Sequence, residues 1–392
     1  MLDQPIADPA FVQDPYAFYD RARAAGPFFR WSALPMPCTG DAAIVNAILR
    51  DRRFGREVPA ELIRPVPPHL APFYAVEAHS MLEAEPPRHT RLRGLVLRAF
   101  TSRRIAGLGP EIAALSHRLI DAAPSGPFDL LAHFAQRLPI LVITRLLGVP
   151  EAMADPILRW SHAMVAMYPQ GRTRATEDAA VAATEAFAAW LTGHIETRRT
   201  TPADDLITHL IAAVDDGDRL TTDEMIATCI LLLNAGHEAT VHAIGNAVRA
   251  LLIHDTPIAA LGPDAIAATV EEVLRFDPPL HLFTRHCTTE AVIAGHTFRR
   301  GDEVGLLLAM ANRDPAVWPD PQRFDPFRAP APHASFGAGL HFCVGAPLAR
   351  LELATALPIL FARLPGLRLA APPLYAPTWH FHGLASLPVA RD

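Results

Sequence analysis

Residues 335–351 read SFGAGLHFCVGAPLARL. At the centre stands Cys343, with Gly337, Gly339 and Gly345 around it, Phe336 ahead of the glycines and a helix-forming run, 346–360, behind them. This pattern describes a loop that delivers a thiol to the start of a helix. There the unsatisfied backbone N–H groups and the positive end of the helix dipole favour the thiolate, a soft and strong metal ligand. The glycines let the backbone pass close to a flat group and take up dihedrals closed to residues with a Cβ. A planar iron macrocycle suits such a loop. A buried cysteine in a glycine-rich turn is the plainer alternative, since free cysteines are among the most buried residues.

Half of the 392 residues are hydrophobic and no linker-like run separates two cores, so one large domain is admissible. The 35 basic and 41 acidic side chains leave a net charge of −6, which offers no polycationic footprint for nucleic acid. Every basic residue is Arg and none is Lys, which with abundant Ala and Pro points to GC-rich coding and not to function. Cys38, Cys229, Cys287 and Cys343 are far apart, lack the Cys-x-x-Cys spacing of zinc or redox sites, and read as reduced cytosolic thiols. Asp, Pro and Gln interrupt the N-terminal MLDQPIADPAFVQDP, so neither signal peptide nor membrane anchor is expected, and the protein is placed in the cytoplasm.

Further upstream, 15–25 and 41–50 read as short amphipathic helices and 54–85 as an irregular, Pro-rich covering or working loop. In EPPRHTRLRGLVLRAFTSRR, 85–104, a Pro pair opens a helix with His89 and Arg93 four residues apart on one face. On the residues alone that basic face is either solvated or an anion site. From 107 to 210 the chain is Ala-rich, periodic and helical, broken at 124–127, 148–150, 169–171 and 200–202, with Pro139 at a kink or an end. The longest helix begins at a capping signal, Thr221 and Thr222 ahead of Asp223 and Glu224, and runs over about 221–253. Its centre, CILLLNAGHEATVHAIGN, belongs in a core and obliges Asn234, His237 and Glu238 to find partners. Ala235-Gly236 permits a locally opened turn there. In VEEVLRFDPP, Glu272 and Arg275 read by spacing alone as a surface ion pair. From Leu280 onward, strand-like alternation with Gly breaks marks a small sheet.

Phe336, Gly337, Gly339, His341, Cys343, Gly345, Leu348, Ala349 and Arg350 resemble the haem-binding loop of the cytochrome P450 family, whose iron carries a Cys thiolate as its proximal ligand. The resemblance touches five motifs in order, from His89 to Arg350. It implies a mainly α fold with a small β-sheet region, the triangular cytochrome P450 fold, as a single domain over 1–392, with haem between the 335–351 loop and the long distal helix. Cys343 is then the iron ligand and His89, Arg93, Arg285 and His341 hold propionates, while Phe336, Gly337, Gly339 and Gly345 shape the cofactor bed. AGHEAT, 235–240, resembles the family's oxygen-activation motif: Glu238 takes the acid position, Ala239 stands where the family usually has Thr, and Thr240 takes the second hydroxyl position. One residue along a helix turns a side chain by about 100°, so Thr240 does not replace the missing hydroxyl. A water held by Glu238, a substrate hydroxyl or the Asn234 amide would. Glu272 and Arg275 match the family's buried Glu-x-x-Arg pair, completed by Arg328. Leu231, Asn234, Ala235, Leu282, Phe283 and Phe381 are expected to line the substrate pocket.

The activity implied by the resemblance is that of a bacterial haem-thiolate monooxygenase, which uses haem b to insert one atom of O2 into an organic, largely apolar substrate. No Gly-x-Gly-x-x-Gly nucleotide fingerprint is fused on. Electrons from NAD(P)H would therefore arrive through a ferredoxin and its reductase, on a face expected to carry Arg91, Arg98, Arg103, Arg104 and Arg350. The missing Thr leaves a peroxide-driven oxygenase as an alternative, opposed by the retained Glu238. A haem-thiolate sensor without turnover is the alternative from another class.

Overall fold

The computed structural model of the chain describes residues 1–168, 172–213 and 218–391. The break expected at 169–171 lies outside the described residues. The chain forms two compact units, 1–62 with 112–137 and 239–392 in the first, 63–111 with 138–238 in the second.

The first unit holds a five-stranded sheet in the order Phe29–Arg30, Pro37–Thr39, Glu303–Leu307, Leu282–Cys287, Phe54–Gly55. Leu282–Cys287 and Glu303–Leu307 pair antiparallel, with Arg285 opposite Val304, and Pro37–Thr39 joins Glu303–Leu307 in parallel. The alternation read from Leu280 onward is thus a real strand pair. Val304 and Leu306 pack among Ile48, Phe54 and Phe298, whereas Leu307 packs among Phe18, Trp31 and Trp379, as the period-2 geometry of a strand requires. The helix Ala42–Arg50 lies in the first of these clusters and is capped by Asp41, whose carboxylate accepts the Ile44 N–H at 2.9 Å.

The second unit is helical, with Ala154–Val165 packed along Arg174–Thr200. The basic stretch expected as one helix is two, Arg88–Ala99 and Ser102–Gly107, because the Thr101 hydroxyl accepts the Arg104 N–H at 3.3 Å and starts a second helix. The segment 54–85 also contains a helix, Ala71–Glu77, with Pro72 in its first turn, where the missing N–H costs nothing. Pro139 lies in the first turn of Arg137–Leu147, after a π-helical turn over Leu131–Ala135.

The long helix, Thr222–Ile253, starts at a reciprocal capping box: the Thr221 hydroxyl accepts the Glu224 N–H at 3.2 Å and the Glu224 carboxylate accepts the Thr221 N–H at 2.9 Å. It runs unbroken through Ala235-Gly236, so the opened turn allowed by the sequence is not formed. Gly236 serves close packing instead, with the Ile143 side chain seated against it.

The helix Ala346–Arg363 buries Glu352 completely, and neither carboxylate oxygen has a hydrogen-bond partner among the described residues. Burial pushes this carboxyl well above its ordinary range. The same group ionises near pH 4.3 in the unfolded chain. The stability it contributes is therefore complete below about pH 4.3 and is lost as pH rises through the folded value. Glu352→Gln keeps the shape and removes the ionisation. Thermal denaturation should show equal melting temperatures for variant and parent near pH 4 and a higher one for the variant at about pH 8. A difference independent of pH would contradict the assignment.

Candidate functional site

The 335–345 loop belongs to the first unit and runs directly into the helix Ala346–Arg363. The Cys343 N–H donates to the Phe336 carbonyl at 3.0 Å, and the Ala346 N–H lies 3.4 Å from the Cys343 carbonyl, so the loop closes on itself just ahead of the helix. Gly337 and Gly339 have φ of +66° and +67°, the left-handed region that disfavours a Cβ. A Cβ on Gly339 would also lie 2.3 Å from the Leu49 carbonyl oxygen, so only glycine lets the loop seat on the end of the helix Ala42–Arg50. Cys343 is held exposed, two residues before the N-cap Gly345, while Cys38, Cys229 and Cys287 are buried. Burial pushes the Cys38 and Cys229 thiols up to about 12, which makes them poor thiolates at neutral pH. Beside the loop, Arg350 makes two bonds to Glu271 at 2.6 and 2.8 Å, and its guanidinium lies 4.5 Å from the Phe336 ring centroid. The Glu271 carboxylate, and after it the nearby Cys343 charge, raise the Arg350 pKa.

Arg285 is 2% exposed; it donates to the Thr284 carbonyl at 2.7 Å and lies 5.8 Å from the Phe283 ring centroid. That ring in turn comes within 3.1 Å of a Cβ built on Gly337, so Phe283, Arg285 and the loop meet in one place. His341 is half-buried in the turn Gly339–His341. Glu272 and Arg275, 3% and 2% exposed, form a bidentate pair at 2.7 and 2.8 Å. Arg328 approaches the same carboxylate at 3.4 Å, and the Asp325 N–H donates to it at 2.8 Å. Spacing alone describes a surface pair; the structure buries it, because the 312–328 segment folds over it and offers Arg275 the carbonyls of Asn312 and Pro321, each at 3.0 Å.

Within 224–248 of the long helix the residues not fully buried are Gly236 and the set Leu231, Asn234, Ala235, Glu238, Ala239 and His242, which follows i, i+3, i+4, i+7, i+8 and i+11. They form one accessible stripe on an otherwise buried helix. Thr240 is buried and off that stripe, as the turn of the helix dictates. His242, which the sequence reading passed over, lies against the C-terminal loop: its ring is 6.5 Å from that of Phe381, and a Cβ on Gly383 would sit 1.7 Å from its Nδ1. Leu280 and Phe381 form a bridge between backbones.

Within the second unit, Glu238 Oε1 lies 3.3 Å from the Ser161 hydroxyl, 3.4 Å from His162 Nε2 and 3.3 Å from His237 Nε2. Ser161 and His162 were not legible as partners, because the contact spans 77 residues and depends on how two helices pack. The Asn234 amide nitrogen is 3.8 Å from the Met164 sulfur. His89, buried, and Arg93 both lie on Arg88–Ala99. Of the five arginines expected on a docking face, Arg91 pairs with Glu224 and Asp218, Arg104 with Asp204, and Arg350 with Glu271. The charges of these three are thus met locally. An exposed thiol ahead of a helix, a bed of glycines and a buried arginine beside it suit a thiolate-held, anionic, planar group.

Residues 265–364 match the family model described as Cytochrome P450. The chain is 38% identical over 405 aligned residues to the cytochrome P450 monooxygenase PikC of Streptomyces venezuelae, an alignment that covers 99% of this chain and 94% of that one. It is 36% identical to the biotin biosynthesis cytochrome P450 of Bacillus subtilis, over 98% of each. Among solved structures, that of P450BioI in complex with hexadec-9Z-enoic acid ligated acyl carrier protein aligns with a TM-score of 0.92 at 34% identity, covering 98% of this chain and 100% of the other.

The buried Glu272–Arg275 pair supplies a test of the geometry. Glu272→Ala leaves a buried guanidinium without its carboxylate and should cost about 3–5 kcal/mol in urea denaturation. Breaking the exposed Glu61–Arg300 pair by Arg300→Ala should leave the denaturation midpoint nearly unchanged. Equal effects would refute the burial argument.

Proposed function

The chain belongs to the cytochrome P450 family and is a haem-dependent monooxygenase, and from that premise we propose that Cys343 is the thiolate that carries its iron. The observation that supports this is the exposure of Cys343 at the mouth of a helix, when the other three cysteines are buried. Haem b bound there would supply the activation of O2, with electron release from the thiolate favouring O–O cleavage.

Arg285 and His341, and on the sequence resemblance His89 and Arg93, take the two propionate charges, each charge-assisted bond contributing about 1.5–3 kcal/mol. Phe336, Gly337, Gly339 and Gly345 shape the bed on the thiolate side. Glu238 acts as the distal acid and Ser161 orients its carboxyl. Ala239 offers no hydroxyl and Thr240 is turned away, so a water held by Glu238, a hydroxyl of the substrate or the Asn234 amide completes the proton path. On the sequence resemblance, Leu231, Asn234, Ala235, Leu282, Phe283 and Phe381 are the residues expected to meet the substrate, and their composition favours a largely apolar organic one. The fatty acyl chain in the P450BioI structure is consistent with this. Electrons from NAD(P)H reach the iron through a ferredoxin and its reductase. No helix among the described residues is long and apolar enough to cross a membrane, and we place the enzyme in the cytoplasm.

Reduced protein with carbon monoxide should show the red-shifted Soret band of thiolate ligation, and Cys343→Ser should lose it; survival of the band would reassign the ligand. The distal assignment has its own readout, product and peroxide formed per NAD(P)H consumed. In the parent, ligands carrying a hydroxyl should couple better than matched hydrocarbons, and Ala239→Thr should raise coupling for the hydrocarbons. Equal coupling for all ligands in the parent would mean that protein groups and protein-held water suffice.

A further inference from the structure

The helices Ala154–Val165 and Thr222–Ile253 bring three side chains of the second unit to one point. Glu238 Oε1 is 3.4 Å from His162 Nε2 and 3.3 Å from His237 Nε2, and one ligand atom from each residue lies within 4.8 Å of the others. His237 is fully buried, and its Nδ1 is 2.7 Å from the Leu233 carbonyl oxygen. A carbonyl only accepts, so Nδ1 carries the hydrogen and the neutral ring presents a lone pair at Nε2. That nitrogen has no hydrogen-bond partner and lies 3.3 Å from a carboxylate oxygen. Two acceptors at this separation repel unless a proton or a metal ion lies between them.

We propose that His162, His237 and Glu238 form a binding site for a divalent transition-metal ion of the Zn2+ type. Two imidazole nitrogens and one carboxylate oxygen are a zinc donor set. With metal–ligand bonds of about 2.0–2.1 Å, tetrahedral ligands stand about 3.3–3.4 Å apart. Both histidine separations from Glu238 have that length. The Nδ1–H bond to the Leu233 carbonyl fixes the His237 ring and its tautomer, as the outer partners of metal-bound histidines do. Ser161 steadies the carboxylate. The His162 side chain is 49% exposed, which gives the ion a route from solvent and leaves a fourth position for water. A second trio, Asp277, His281 and His382, lacks these properties: it is wholly buried, and Asp277 already accepts bonds from Tyr16, Tyr375 and His382.

An ion held here occupies Glu238, so it should inhibit turnover. This consequence rests on the reading of Glu238 as the distal acid, whereas the binding does not. Equilibrium dialysis of the haem-loaded protein against Zn2+, with metal counted by mass spectrometry, should find one ion per chain whose affinity falls at least about tenfold in His162→Ala. His162→Cys, which restores a zinc ligand, should recover most of it. Position 162 is half-exposed, so both variants test the ligand without disturbing a core. Specific binding with inhibition supports the site and the distal role together. Specific binding without inhibition supports the site and removes Glu238 from proton delivery. Identical binding curves for parent and His162→Ala would overturn the site.

Discussion

Two opposite charges buried side by side, Glu272 and Arg275, tie the helix that carries them to the 312–328 segment. A guanidinium taken from water must satisfy its remaining donors, and Arg275 does so on the Asn312 and Pro321 carbonyls. Asn312 then holds the start of the thiol loop: its side-chain amide donates to the Ser335 hydroxyl at 2.8 Å and its carbonyl oxygen accepts the Ala334 N–H at 2.6 Å. Ser335 donates in turn to the Leu274 carbonyl at 2.7 Å, back on the helix that carries the pair. The ion pair is thus linked through one asparagine to the loop that presents Cys343. A hydrophobic pair of equal volume could match its stability, so what this pair contributes is register.

Register matters because the chemistry of Cys343 depends on where the loop stops. Four cysteines share one intrinsic thiol chemistry, and burial renders two of them inert by raising their pKa to about 12. Only the loop seated on Leu49 by Gly339 holds its thiol exposed at a helix start. On the long helix the same economy of position separates Ala239, on the accessible stripe, from Thr240, one residue on and buried.

Features set by neighbours in sequence were legible. The Thr221 and Glu224 capping box, the strand alternation after Leu280 and the loop around Cys343 each rest on spacings of a few residues. Features set by packing were not. Spacing alone makes Glu272 and Arg275 a surface pair; their burial, with Arg328 beside them, was expected only from the family resemblance, and the fold of 312–328 supplies it. Gly236 reads as a weak point in a helix, yet Ile143 packing makes it a tight one. Ser161 and His162 carry no local signal of their approach to Glu238, and the carboxylates that meet Arg91 and Arg104 lie a hundred residues or more along the chain.

Gly383 shows how such packing bears on substitution. The C-terminal loop lies so close to the His242 ring that any side chain at position 383 would require the ring or the loop to shift. A chain that keeps an imidazole at 242 can therefore substitute 383 only by turning that ring or moving the loop. Its neighbour Phe381 is under no such bar. Change is therefore cheaper at the side chain beside the anchor than at the anchor itself, and the glycine ties the course of the C-terminal backbone to the rotamer of one ring on another element.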